Sequence, residues 1–149
     1  MEQMTKIKYI LILLWLALSG IFSVWGSFSL FFVMQIQSWA EWLEALAPQV
    51  HFGYFVSTIV WFAFSAFFIL FAYGTLKKES WVWTTGIIIS TIFLAIFGFM
   101  IAALMINAIM FLDIFSVLGL VTVVISFIID IGIVFFLTRP ATKVYFDVT

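Results

Sequence analysis

WVWTTGIIISTIFLAIFGFMIAALMI, residues 81–106, contains no Asp, Glu, Lys, Arg or Pro. At about 1.5 Å per residue, a helix over this stretch is longer than the roughly 30 Å hydrocarbon core of a bilayer. A surface helix of a soluble protein keeps one polar face for water, and this stretch has none to offer. Three more apolar stretches read outward from it, at about 7–34, 52–76 and 114–138. The four together predict an all-α fold, an integral membrane four-helix bundle forming a single transmembrane domain over residues 1–149.

Composition agrees with that reading. Of the 149 residues, 66% are hydrophobic and 9% charged, where a soluble domain is about a quarter charged. Mean hydropathy is +1.32. With no cysteine, disulfides, thiolate metal sites and thiol catalysis are excluded. The net charge of −1, with no run of Lys or Arg, argues against a nucleic-acid partner. Lys6 and Lys8 precede the first apolar run as they would in a signal peptide. The run continues to about Met34, past the length of a cleavable signal's apolar region, so a retained helix is expected.

Residues 35–50 form the only substantial predicted loop. Within it, Ser38-Trp39-Ala40-Glu41 fits a capping box and Pro48 closes the segment, which predicts a short interfacial helix over about 39–47. Ile36, Trp39, Leu43 and Leu46 share one face of it, with Gln37, Glu41 and Glu44 elsewhere. Tight connections are expected after Lys77-Lys78-Glu79, where Ser80 caps the third span, and at 107–113; Arg139-Pro140 stops the fourth.

All six Lys and Arg lie in three places: Lys6 and Lys8, Lys77 and Lys78, Arg139 and Lys143. The opposite connections hold Glu41, Glu44, His51 and Asp113. Positive charge collects on the cytoplasmic side of membrane proteins, so the N- and C-termini are expected in the cytoplasm and the chain multi-pass in the cell (plasma) membrane.

Asp130 is the residue with the most chemistry. It lies about 12 Å inside the cytoplasmic end of the fourth span, where a charged side chain costs roughly 2.5 to 3.5 kcal/mol and normally faces a bundle interior. Ser116, Gly119, Thr122 or Val123, Ser126 and Asp130 recur at helical spacing as one polar, small-residue stripe. Counting to the same depth along the other spans reaches Ser19, Ser65, and Ser90 with Thr91, a polar layer around the carboxyl. The functional reading is a proton- or cation-binding site made of Asp130, Ser126, Thr122, Ser90, Thr91, Ser19 and Ser65. The structural reading is interhelical hydrogen bonding, at about 0.6 kcal/mol per contact.

Other residues carry less. Asp113 reads as a helix cap and Asn107 as a helix-end residue. His51, the only histidine, lacks the three or four converging ligands a metal needs. Ser19, Ser23 and Ser27 repeat every four residues, and Gly98 with Ala102 makes a small-xxx-small pair; both patterns read as packing grooves. No phosphate loop, zinc-protease motif or dinucleotide fingerprint is present, and no cofactor is expected.

Leu137-Thr138-Arg139-Pro140-Ala141-Thr142-Lys143-Val144-Tyr145-Phe146 resembles the tail of small prokaryotic tetraspan membrane proteins of no assigned activity, in which the last span runs into an Arg-Pro turn followed by Lys and Tyr-Phe. The resemblance covers about ten residues and implies a shape, not a mechanism. Small multidrug transporters carry their membrane acid in the first span and claudin-like proteins carry a cysteine pair; this chain has neither. The expected function is that of a non-enzymatic four-span protein, an accessory subunit or homo-oligomeric scaffold whose partners are membrane lipids and other membrane subunits or its own copies. The alternative is a proton- or cation-coupled transporter or channel using Asp130.

Overall fold

The computed structural model describes residues 2–43, 48–111 and 114–148. They form five helices: α1 (Glu2–Leu43), α2 (Pro48–Lys77), α3 (Ser80–Phe111), α4 (Ile114–Leu137) and the short α5 (Pro140–Tyr145). Four segments are long and apolar enough to cross a membrane, Thr5–Phe31, Phe55–Lys77, Ser80–Ile106 and Val117–Leu137.

The first helix departs from expectation. It runs unbroken to Leu43, so residues 39–43 end α1 and are not a separate interfacial helix, while 44–47 lie outside the described residues. The physical reason is that residues 35–43 contain neither Gly nor Pro. Without a breaker, propagation of the helix at one hydrogen bond per residue outweighs a cap at Ser38.

The chain reverses after α2 in a C-terminal capping motif. Lys78 takes the left-handed conformation, φ 61°. Its N–H donates to the Thr75 carbonyl at 3.2 Å, and the Glu79 N–H donates to the Gly74 carbonyl at 2.9 Å. This satisfies two orphan carbonyls of the helix end and lets α3 begin at once at Ser80. A second such cap closes α5, with Asp147 at φ 54° and the Val148 N–H on the Lys143 carbonyl at 3.0 Å.

The helices pack as two close pairs, α1 with α2 and α3 with α4, joined by a shorter contact of α1 with α4. The α2 and α3 backbones barely approach. Their space is bridged by aromatic side chains, Phe64 to Phe93 at 5.2 Å and Phe68 to Phe93 at 5.5 Å between ring centroids. Phe22 of α1 is the hub of this layer, with Trp61, Phe64, Phe68, Phe93 and Phe97 around it. Edge-on and tilted aromatic contacts of this kind each add about 0.5–1.5 kcal/mol beyond burial.

Helix α5 folds back across one end of the bundle. Tyr145 Oη donates to the Thr75 carbonyl at 2.8 Å, Thr142 Oγ1 donates to the Phe136 carbonyl, and Phe146 is buried. Trp83 Nε1 donates to the Leu137 carbonyl at 2.8 Å, one of the carbonyls left open where α4 stops. At this end Lys78 lies over the Tyr145 ring, Lys143 over Trp83 and Arg139 over Phe135.

Candidate functional site

The buried face of α4 is the stripe Gly119, Val123, Ser126, Asp130, Ile133 and Leu137, alternating by four and three. At the position where the spacing left Thr122 or Val123 open, Val123 is buried and Thr122 half-buried. Thr122 Oγ1 turns back to the Leu118 carbonyl and Ser126 Oγ to the Thr122 carbonyl, both at 2.9 Å, so these hydroxyls are satisfied within their own helix.

Asp130 faces inward and is 1% exposed. Its neighbour across the helix contact is Ser90 of α3, also 1% exposed. The two side chains lie beside one another outside hydrogen-bonding geometry: neither carboxyl oxygen of Asp130 nor the Ser90 hydroxyl has a partner among the described residues. Trp15 Nε1, on a fully buried residue of α1, is the fourth such atom. An unpaired buried polar group costs about 1–3 kcal/mol, and more when charged.

The remaining members of the sequence-derived layer stand elsewhere. Thr91 is exposed, and its hydroxyl donates to the Ile87 carbonyl at 2.7 Å. Ser19 and Ser65 form a cluster of their own between α1 and α2. Their hydroxyls are 2.9 Å apart, Ser19 Oγ also donates to the Ser65 carbonyl at 2.9 Å, Ser65 Oγ to the Ser19 carbonyl at 3.0 Å, and Ser23 Oγ lies 2.6 Å from Ser65 Oγ. This is a reciprocal knot that ties α1 to α2 and leaves little capacity for a ligand. The geometry thus brings Asp130 and Ser90 together, keeps Ser126 and Thr122 on the same helix, and places Ser19 and Ser65 in a separate contact.

Trp15 was not among the residues singled out from the sequence, because a tryptophan in an apolar run reads as filling. Its ring packs on Phe71 at 4.7 Å and Phe68 at 5.9 Å, and its indole N–H is buried without a partner among the described residues. The side chains of His51, Asn107 and Ser116, and Asp113 as a whole, lie outside what the structure describes. Among the described residues no three His, Cys, Asp or Glu converge.

A second feature is a cleft of about 390 Å³ between α2 and α3, lined by Ala63, Phe64, Phe67, Ile89, Ile92, Phe93 and Ile96, with a wholly apolar surface. Farther along α3, Ala102 is exposed and a methyl group added to Gly98 would meet nothing within 4 Å.

Comparison with family models, with curated proteins and with solved structures finds no match.

Proposed function

We propose that this chain is a four-span integral membrane protein that works without catalysis, as an accessory subunit or homo-oligomeric scaffold, through lateral contacts of its helices. Residence in a membrane is supported by an inverted distribution of polarity. Ser19, Ser65, Ser90, Ser126 and Asp130 are buried, while Leu13, Val24, Phe99 and Ile128 are exposed. Water would reverse that arrangement; lipid favours it. The short end of the bundle, with Lys77, Lys78, Arg139 and Lys143, then faces the cytoplasm of the cell together with both termini. The part of α1 beyond Phe31 extends past the lipid core towards the opposite interface.

The lateral role is carried by one observation: among the described residues nothing fills the space at Gly98, and Ala102 one turn on is exposed. Association in lipid is driven by close backbone approach at such positions. The test is purification in mild detergent from the native membrane, with the mass of the complex measured. A defined larger assembly that dissociates in Gly98→Leu is expected. A monomer that shows turnover or transport by itself would overturn the reading.

A second reading, a proton- or cation-coupled carrier or channel, is favoured by the buried, unpartnered carboxyl of Asp130. Ion flux through liposomes holding the pure protein tests it. Flux unaffected by Asp130→Asn removes the residue from the mechanism, and no flux in wild type removes the class.

A further inference from the structure

Trp15, Ser90 and Asp130 come from α1, α3 and α4, and their polar atoms are the four buried ones without a partner among the described residues. Each lies on the inward stripe of its helix: Leu11, Trp15, Leu18 and Phe22 on α1; Val82, Gly86, Ser90, Phe93 and Phe97 on α3; Ser126, Asp130, Ile133 and Leu137 on α4. They also lie at similar depths, in the same half of the bundle. Trp15 is ten residues beyond Thr5, Ser90 ten beyond Ser80 and Asp130 seven before Leu137, or about 15, 15 and 10 Å along the helices at 1.5 Å per residue.

Two side-chain contacts bring these helices together near those positions. A Cβ on Gly86, one turn before Ser90 on the same face, would lie 3.4 Å from Trp15 Cζ2 and 3.1 Å from Leu137 Cδ1. A Cβ on Gly132, two residues from Asp130, would lie 3.5 Å from Leu14 Cδ1, beside Trp15. Side chains of α1 and α4 thus pack against α3 at Gly86, and a side chain of α1 packs against α4 at Gly132.

We propose that Trp15, Ser90 and Asp130 form a binding site for one buried water molecule at the junction of α1, α3 and α4. The chemistry selects the ligand. The indole offers a proton and no lone pair, the carboxyl offers lone pairs, and the hydroxyl offers both. A bare cation would find the indole's positive edge turned to it, and an anion would meet the carboxyl. A water accepts from Trp15 Nε1 and donates to Asp130, with Ser90 Oγ as its third partner, matching the two to four bonds a buried water makes. Because α1 meets α4 over a short length, this water ties the α1–α2 pair to the α3–α4 pair.

The experiment uses full-length protein with ¹⁵N-labelled tryptophan in lipid nanodiscs. The Trp15 indole resonance is assigned by its loss in Trp15→Phe, and its cross-relaxation with water is recorded. A cross-peak with the sign of a long-lived bound water is expected at Trp15. It should persist in Asp130→Asn, which keeps an acceptor, and disappear in Asp130→Leu while the other indole peaks hold their positions. Should Asp130→Leu not fold, Ser90→Val blocks the same site and the same loss is expected. No cross-peak at Trp15 in folded wild type, or one that survives the apolar variant, would overturn the proposal; neither result bears on ion flux, which Asp130→Asn in liposomes reads separately.

Discussion

Gly74 has no room for a side chain. A Cβ there would run into Val82 Cγ2 and lie 3.0 Å from Trp81 Cζ2, at the reversal between α2 and α3. Gly74→Ala is therefore expected to destabilise the bundle by about 1–3 kcal/mol, the usual penalty of overpacking, measured by unfolding in mixed detergent. The same change at Gly20, where nothing lies within 4 Å, should be neutral or slightly stabilising. Ser65 is the hub of the α1–α2 knot, joined to both Ser19 and Ser23. At about 0.6 kcal/mol per membrane hydrogen bond, Ser65→Ala is expected to lose roughly 1–2 kcal/mol in the same assay. The spacing of Ser19 and Ser23 made a packing groove legible from the residues alone. That Ser65 supplies the other half was not, because register between two helices depends on how their side chains interlock.

At the scale of the element, α5 is held by two side-chain hydrogen bonds, Tyr145 to the Thr75 carbonyl and Thr142 to the Phe136 carbonyl, and by the buried rings of Tyr145 and Phe146. Tyr145→Phe removes only the bond to the Thr75 carbonyl, worth about 0.5–1.5 kcal/mol. Faster amide exchange is expected over 140–148, with the rates in α1 to α4 unchanged. Burial also raises the Tyr145 hydroxyl above the ordinary tyrosine range. The folded state then holds this proton more firmly than the unfolded one. The stability that this shift contributes to the docking of α5 is fully present below about pH 10 and is lost as pH rises through the raised value. A spectroscopic tyrosinate titration followed alongside exchange in 140–148 should show the two changes together, and Tyr145→Phe should abolish the alkaline loosening. Arg139-Pro140 announced the stop of α4 in the sequence; the return of Tyr145 to Thr75 is a contact across 70 positions of chain, which local pattern cannot encode.

For the molecule as a whole, the absence of cysteine makes the proposed topology directly measurable. Glu79→Cys and Asp147→Cys should be labelled by an impermeant thiol reagent from the cytoplasmic side alone, and Ile109→Cys from the opposite side alone. Labelling of positions 79 and 147 from opposite sides would sink the four-span arrangement. What the sequence by itself determined is the number of long helices, the gathering of Lys and Arg at three places, and the inward turn of Asp130. These follow from hydropathy, charge and the 3.6-residue period, which act along a single chain segment. Tertiary structure alone decided that α1 and α2 pair closely while α2 and α3 stay apart over an apolar cleft. It also decided that the hydroxyls divide between a Ser19–Ser65 knot and an Asp130–Ser90 contact, and that the Trp15 indole N–H is buried without a partner among the described residues. The physical reason is that α2 and α3 are apolar nearly all round and carry no strong stripe to orient them: their rotation and pairing are set by which small residues let two backbones approach and which aromatic rings hold them apart.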